Sequence, residues 1–345
     1  MGWLSAPQLR YTIMDLAVFG VPGGGLVVGE GPFEARAEPP AEGVAFYRND
    51  FALSSPTPWR VPAQVRELAA GEALGEAESG DLCVDWDEPE VDPFADVYTE
   101  VSQSIRNGSI EKSVPVVTAR GCLRQGGGPS LLRALPGVDA PLRPYAWIEG
   151  EEGCAGLSPE LFFRLEGGTL RTMALAGTAR REEREAFGAD EKEIREHEFV
   201  AQTLLAKLSD LGATTRRPRE IMDLERLVHF HSGIDVELTN CESIDRLVRV
   251  LHPTPALGPL PRTEETMTQL LAWRARLDCP LWFGAPFGMW REGVFEALVA
   301  IRMVAWKGAE LFLPSGCGVI EESRLVNEWR ELRLKREAVR AAFGF

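Results

Sequence analysis

The sequence has too few basic residues to bind a polyanion through charge alone. Lys and Arg number 37 against 52 Asp and Glu, which gives a formal net charge of −15 at pH 7. A sequence-independent grip on nucleic acid or on an anionic membrane requires an excess of Lys and Arg. We therefore expect no nucleic-acid and no membrane partner. A small anionic substrate stays compatible with this composition, because it needs only a local cluster of positive charge.

Cysteine pairs and long apolar runs are also missing. The six cysteines are scattered, without a Cys-x-x-Cys pair or a spacing typical of metal ligands. Such cysteines are typical of a reducing compartment, where they pack as small apolar side chains. No apolar run approaches the ~20 residues that span a bilayer, and no basic segment leads into one at the N-terminus. These absences predict a cytoplasmic protein.

The sequence does contain enough apolar material for a large core. Of its 345 residues 45% are hydrophobic, and neither an internal repeat nor a clean linker interrupts them, so one domain over residues 1–345 is favoured. Apolar residues at steps of three and four predict helices over residues 92–108, 190–211, 243–250, 263–275 and 325–343, the first with Asp92 as its N-cap. Runs of β-forming residues between turn signals predict strands in residues 11–31 (a hairpin), 114–123, 144–148, 154–157, 161–165, 170–175, 224–238, 281–290, 295–306 and 310–314.

Carboxylates form two candidate groups. Glu160 stands between apolar stretches, which raise the pKa of a carboxyl group and suit a general acid, although an ordinary strand-end glutamate is favoured on local sequence alone. The pairs Glu193/Glu196 and Glu328/Glu331 each place two carboxylates one helical turn apart. Two such helices facing each other would offer oxygen ligands that suit Mg²⁺. Solvated helix faces are the simpler interpretation of these pairs.

Arg302 is the third candidate, because it interrupts an apolar strand. A cation in such a strand is costly unless it is paired, and either a substrate carboxylate or a structural salt bridge could be its partner. Lys335 follows Glu331 by one helical turn and could act beside it. The histidines lack a third ligand at a useful spacing, so His229 and His231 are interpreted as satisfied core or loop residues.

Several motifs together show a resemblance to a known family. From Val91 to the C-terminus the sequence resembles the chorismate-utilising enzymes, whereas residues 1–90 match only loosely and form a divergent N-terminal part. The motifs that carry the resemblance are Ser158–Phe162, Ala174–Thr178, Glu196–His197, His229–Ser232, Leu251–Ala256, Ala300–Arg302, Gly316–Val319 and Glu328–Glu331 followed by Lys335. The resemblance implies an α+β fold, a single large domain of antiparallel sheets flanked by helices, and chorismate as the substrate.

The same motifs separate the branches of the family. Aminating members carry an Arg-Asn-Asp-Leu-Gly-Arg run after the Glu-His pair, where this sequence has Glu198–Leu205. The lysine that aminodeoxychorismate synthases place before Gly-Thr is here Ala176. The sequence is therefore similar to the water-using branch, the isochorismate and salicylate synthases, and no glutamine amidotransferase subunit is expected.

The resemblance assigns a role to each matching residue. Glu196, Glu328 and Glu331 would hold Mg²⁺ against the ring carboxylate, and Glu160 would protonate the departing C4 hydroxyl. Arg302 and Lys335, with backbone groups at Gly177, Thr178, Gly316 and Gly318, would hold the substrate carboxylates. Leu257, Phe283 and Ile301 would line the pocket, and the matching motifs add Ala176, His252 and Thr254 to the substrate-binding set.

One position departs from the pattern of the water-using branch. Those enzymes have a Lys-Val-Val-x-Ala-Arg strand whose lysine activates the attacking water, and Pro115 stands in its place here. The nearest lysine, Lys112, would face the other side of a regular strand unless a bulge at Pro115 turns it back. With Lys112 as the base, the expectation is an Mg²⁺-dependent isochorismate synthase that feeds menaquinone synthesis. A salicylate synthase and a chorismate-binding protein without catalysis are the alternatives, and the resemblance leaves the pathway open.

Overall fold

The computed structural model describes residues 15–74 and 82–345, in which two large antiparallel sheets carry the fold. The strands are β1 (Leu16–Gly20), β2 (Leu26–Glu30), β3 (Glu34–Arg36), β4 (Val44–Arg48), β5 (Trp59–Val61), β6 (Gln64–Leu68), β7 (Cys83–Asp87), β8 (Val116–Gln125), β9 (Arg143–Glu149), β10 (Glu152–Ser158), β11 (Leu161–Glu166), β12 (Thr169–Arg180), β13 (Gly212–Arg216), β14 (Glu220–Leu224), β15 (Leu227–Leu238), β16 (Pro286–Arg291), β17 (Val294–Val299), β18 (Met303–Lys307) and β19 (Glu310–Gly316). The first sheet has the order β6-β2-β1-β9-β10-β18-β19-β8-β7. The second has the order β13-β15-β12-β11-β17-β16-β4-β5-β3, and β14 pairs with β15.

Helices flank these sheets, so the predicted α+β class is confirmed. They are α1 (Val91–Arg106), α2 (Arg184–Gly188), α3 (Glu191–Ser209), α4 (Ile244–Leu251), α5 (Glu264–Arg276) and α6 (Leu325–Phe343), with short 3₁₀ helices at Gly128–Ala134 and Arg181–Glu183. In the described residues no helix is both long enough and apolar enough to cross a lipid bilayer.

Aromatic side chains from both sheets meet in the main core. The ring of Phe287, on β16, lies 6.3 Å from that of Phe19 on β1 and 5.5 Å from that of Tyr145 on β9. All three side chains are nearly inaccessible to water. Since β1 and β9 belong to the first sheet and β16 to the second, burial of these apolar rings holds the two sheets face to face.

A side-chain cap sets the start of helix α3. The Asp190 carboxylate accepts hydrogen bonds from the backbone N–H groups of Lys192 and Glu193, at 3.0 and 3.1 Å. This satisfies donors that the first turn of α3 leaves without partners. Helix α1 differs from the prediction, because its N-cap is Glu90 rather than Asp92, and Glu90 makes no side-chain cap.

Two of the points at which the chain crosses from one sheet to the other lie next to each other. Residues 158–160 lead from β10 to β11, and residues 300–302 lead from β17 to β18. The two crossings are bonded to each other, because Val299 N donates to Glu160 O at 3.0 Å and Leu157 N donates to Arg302 O at 3.1 Å. The Ser158 hydroxyl adds a third bond, to Val299 O at 2.7 Å.

The second crossing corrects a prediction. Residues 295–306 were expected to form one strand, but they form β17 in one sheet and β18 in the other. The run is mostly apolar because both strands are buried. Arg302, at the break, has a φ of 53°, a left-handed backbone that a strand interior cannot accommodate. The hairpin predicted in residues 11–31 is confirmed as β1 and β2, although its residues 11–14 lie outside the described part.

Candidate active site

A cavity opens where the two crossings meet α3 and α6. Its empty volume, with its open mouth, is about 680 Å³. The predicted site residues that line it are Glu160, Ala176, Gly177, Thr178, Glu196, Leu257, Phe283, Ile301, Arg302, Gly316, Gly318, Glu331 and Lys335. The other four, Lys112, His252, Thr254 and Glu328, lie behind this wall. These thirteen residues come from eight separate stretches of sequence and surround one space.

Glu160 is a buried carboxyl group on the cavity wall. It is 3% exposed, and burial raises its pKa to about 7 even though a hydrogen bond from Thr254 acts in the opposite direction. That bond joins Thr254 Oγ1 to Glu160 Oε1 at 3.0 Å. Thr254 therefore reaches the cavity only through Glu160. A carboxyl group that titrates near neutral pH is able to donate a proton to a leaving group.

Arg302 presents a cation to the cavity beside Glu160. Its Nη2 donates to Nε2 of His229 at 2.7 Å, and Nδ1 of His229 lies 2.6 Å from the Gly177 carbonyl oxygen. Since a carbonyl only accepts, Nδ1 carries the proton and Nε2 is the acceptor. Burial and the positive charge of Arg302 hold the pKa of His229 well below its ordinary value, so the ring stays neutral.

His229 is thus a satisfied buried histidine, as predicted, but it also orients Arg302. The pairing of β15 with β12 shifts register between Ala176 and Ala179 and brings His229 next to Gly177. Gly177 there has a φ of 76°, a conformation that glycine adopts without strain. Burial lowers the pKa of Arg302 to about 10, which leaves it charged at neutral pH.

Lys335 lies on the wall but its ammonium group is already engaged. Nζ donates to the Gly316 carbonyl oxygen at 2.8 Å and lies 2.6 Å from Glu331 Oε1. Burial acts to raise the pKa of Glu331, yet Lys335 and Lys192 hold it below the ordinary value. Lys335 therefore fixes the turn after β19 and keeps Glu331 ionised.

Four glutamates from α3 and α6 form what we call the carboxylate cage: Glu193, Glu196, Glu328 and Glu331. Both carboxylate oxygens of Glu328 are buried and accept no hydrogen bond, and burial together with Glu331 raises its pKa to about 8. Burial and Glu196 raise the pKa of Glu193 to about 7. Glu193 was absent from the set that the resemblance implied, although its spacing from Glu196 was visible in the sequence. Its Oε2 accepts a hydrogen bond from Thr178 N at 2.9 Å.

The ammonium group of Lys192 lies inside this cage. It is 3.0 Å from Glu193 Oε1, 3.3 Å from Glu328 Oε1 and 3.9 Å from Glu196 Oε2. Burial acts to lower the pKa of Lys192, but the surrounding carboxylates hold it above its ordinary value. Within the described residues, no three His, Cys, Asp or Glu side chains already surround a common metal position. The all-oxygen donor set, with Glu328 oxygens that are buried and accept no hydrogen bond, nevertheless fits a hard cation such as Mg²⁺.

Lys112 is fully buried at the outer edge of the cage. Its Nζ lies 3.4 Å from Glu196 Oε1 and has no hydrogen-bond partner. The segment before β8 is irregular, because Lys112 bridges to Leu260 and the next residue bridges to Val319. Val114, rather than Lys112, stands on the cavity wall. The role of Lys112 as the base stays a prediction.

His252 lies away from the cavity wall. Nε2 lies 2.8 Å from the Phe51 carbonyl oxygen, so it is the protonated nitrogen that donates. Burial lowers the pKa of His252 to about 4. His252 therefore fixes the loop that carries Thr254 and Leu257, and it reaches the cavity only through them.

The fold and this site define a class of protein. Residues 65–344 match the sequence profile of the Chorismate binding enzyme family, and the chain belongs to that family. The solved structure of MenF, the menaquinone-specific isochorismate synthase from Escherichia coli, is similar with a TM-score of 0.81 at 18% identity, over 96% of this chain and 88% of that one. Anthranilate synthase component I from Streptococcus pneumoniae is similar with a TM-score of 0.69 at 14% identity, over 98% and 94%.

Three curated relatives of this chain are isochorismate synthases. The salicylate biosynthesis isochorismate synthase of Pseudomonas aeruginosa is 31% identical over 219 residues, which are 60% of this chain and 45% of that protein. Isochorismate synthase EntC of Escherichia coli is 31% identical over 199 residues, 55% of this chain and 50% of EntC. Isochorismate synthase MenF of Bacillus subtilis is 29% identical over 247 residues, 66% of this chain and 51% of MenF. The chain thus spans about half the length of these relatives.

Proposed function

We propose that this protein binds chorismate and converts it to isochorismate with the help of Mg²⁺. The observation that carries the proposal is the pairing of two groups on one cavity wall: a buried carboxyl group, Glu160, with a pKa of about 7, and a charged guanidinium, Arg302. Chorismate presents carboxylates and a hydroxyl leaving group, so it needs both a cation and a proton donor. The curated relatives, which are named as isochorismate synthases, support the same substrate.

Arg302 would hold a substrate carboxylate in this reaction. The neutral ring of His229 accepts one guanidinium hydrogen bond, which leaves Nη1, buried and without a partner in the described residues, for a ligand. A bidentate or single charge-assisted bond from arginine is both strong and directional. His229 thus orients the cation without neutralising it.

Glu160 would then protonate the C4 hydroxyl as that group departs. Its carboxyl group is fixed by Thr254 and by the backbone bonds of its own crossing, so little reorganisation is needed when the proton moves. Leu257, Phe283 and Ile301 supply apolar walls that keep bulk water away from this group.

Glu196, Glu328 and Glu331 would hold Mg²⁺, and we add Glu193 to the set. When bound, the ion supplies positive charge that offsets the ring carboxylate of the substrate. The cage fits this task because two of its four carboxylates, Glu196 and Glu331, stand on the cavity wall, where their negative charge would otherwise repel an anionic ligand.

Water addition at C2 also requires a base. Lys112 is the nearest lysine to the position that Pro115 occupies, and it contacts the cavity through Glu196. We propose Lys112 for this role and menaquinone synthesis as the pathway, which is supported by the menaquinone-specific enzyme among the similar structures. One observation favours a second candidate, binding without turnover: Val114 stands on the wall that should carry the base.

Incubation of the purified protein with chorismate, with and without Mg²⁺, followed by chromatography tests these proposals. Isochorismate that forms only with Mg²⁺ supports the first. Salicylate with pyruvate would identify a salicylate synthase, and chorismate binding without product would support the second candidate. Anthranilate formed in the presence of ammonia would contradict the assignment to the water-using branch. Glu160→Gln is the matched control, since it should bind chorismate and lose turnover by about a hundredfold or more.

A further inference from the structure

Lys192 occupies the centre of the carboxylate cage. Its ammonium group contacts Glu193 and Glu196 on its own helix, α3, and Glu328 on α6, at 3.0, 3.9 and 3.3 Å. Among the described residues, Lys192 is the only cation within ion-pair distance of Glu328. Lys192 is therefore the cation that joins the two acidic helices when no metal is present.

The same oxygens cannot serve both cations at once. Mg²⁺ binds its oxygen ligands at about 2.0–2.1 Å and accepts little distortion of its octahedral geometry. An ion held by Glu196 and Glu328 would lie within a few ångströms of the present position of Lys192 Nζ. Two positive charges so close together in a buried site repel each other strongly, so one of them has to move.

We propose that Lys192 holds the place of the divalent cation in the metal-free protein and leaves the cage when the cation binds. The inference rests on the metal use proposed above. Metal binding is then an exchange of one ammonium group for one ion, and its affinity is reduced by the cost of moving the lysine. The exchange also accounts for the lack of a ready-made three-ligand group among the described residues.

Lys192 is suited to such a movement. It lies in the first turn of α3, its side chain is 23% exposed, and its flexible stem offers a route to water. Lys112, which also contacts Glu196, is fully buried and has no such route. The two lysines contact different oxygens of Glu196, so Lys192 can leave while Lys112 remains.

The experiment compares divalent-ion affinity in the full chain without substrate. Titration with Mn²⁺, followed by electron paramagnetic resonance, and with Mg²⁺, followed by calorimetry, would be applied to wild type, Lys192→Met and Lys192→Arg. Removal of the competing charge should tighten both affinities by about tenfold or more in Lys192→Met, and Lys192→Arg should stay close to wild type. Lys207→Met is the matched control, because it removes a lysine from the same helix about 22 Å further along its axis.

A second measurement does not depend on a variant. Acylation of Lys192 in wild-type protein, followed by mass spectrometry, should become several times faster when saturating Mg²⁺ is added, while that of Lys207 should not change. Unchanged or weaker ion binding in Lys192→Met, or unchanged acylation, would overturn the proposal. If no variant binds either ion, the proposed metal use fails as well. If the affinities change as expected but no isochorismate forms, the exchange stands and the proposed activity fails.

Discussion

Arg302 and His229 are joined by a hydrogen bond of 2.7 Å in which the neutral imidazole is the acceptor. Substitution His229→Ala would leave the guanidinium without this partner and without a fixed orientation. A hydrogen bond to a charged group contributes about 1.5–3 kcal/mol, so chorismate affinity should fall roughly tenfold to a hundredfold. Direct titration measures this effect. His231→Ala, two residues further along β15 and outside the cavity wall, should keep wild-type affinity, and equal losses in both variants would contradict the role of His229.

The pKa of Glu160 predicts the alkaline side of the pH–rate profile. The group must be protonated to act as an acid, and its pKa is raised to about 7, so turnover should fall as the pH rises through about 7. Thr254→Val removes a hydrogen bond that favours the charged form. The pKa of Glu160 should then rise further and move the alkaline limb up by ~0.5–1 pH unit. The profile of kcat measures the shift.

Thr268→Val is the control for this experiment, because the Thr268 hydroxyl is exposed and bonds only to its own helix, at Glu264 O. Its alkaline limb should coincide with that of wild type. A Thr254→Val limb that stays in place, or that moves to lower pH, would show that another group limits the rate.

Gly318 is predicted to tolerate no side chain. A Cβ atom there would lie 2.2 Å from Glu196 Oε1 and 2.9 Å from Lys112 Cε. Gly318→Ala should therefore displace Glu196, weaken Mg²⁺ binding about tenfold and destabilise the fold by about 1–3 kcal/mol. Calorimetric titration and thermal unfolding measure the two effects. Gly127→Ala, whose Cβ would meet only Pro129 Cδ at 3.6 Å, should leave both unchanged.

The base can be tested by moving it. Lys112→Met should reduce isochorismate formation by about a hundredfold or more if Lys112 activates water. Adding Pro115→Lys to this variant places a lysine at the start of β8, where the water-using enzymes carry theirs, and should restore part of the rate. Chorismate and Mg²⁺ affinities measured alongside separate this effect from damage to Glu196, which contacts Lys112 at 3.4 Å. Full activity in Lys112→Met would end its assignment as the base.

The sequence predicted an element best when residues within that element alone determine its structure. Helix α6 covers Leu325–Phe343, the range that was predicted from the sequence, and Gly344 adopts the left-handed C-cap with a φ of 78°. The split between β17 and β18 could not be predicted this way. Both strands are buried, so the apolar run continues through the point at which the chain changes sheets.

Prediction of the site was limited in the same way, to features that are local in the sequence. Motifs identified Glu160, Arg302 and Glu196 because each is recognisable within a few residues of sequence. The neutral partner of Arg302 and the ammonium group inside the cage depend on side chains that meet across elements far apart in the chain. Sequence spacing within α3 could indicate that Glu193 and Glu196 share a side, but not that Lys192 would turn towards Glu328 on α6.

The hydrogen bonds between the two crossings also constrain the distance between Glu160 and Arg302. Glu160 and Arg302 stand on adjacent chain segments whose main-chain atoms are hydrogen-bonded at 3.0 and 3.1 Å, so the backbone constrains the distance between the Glu160 carboxyl group and the Arg302 guanidinium. Substitutions on the cavity walls can alter how tightly a ligand is held. Such substitutions do not change the distance that a ligand must have between its carboxylate and its leaving group. A compound with a different distance between these two groups would not bind productively, even if the cavity walls fitted its shape. Binding such a compound would require a change in the backbone at the two crossings between the sheets.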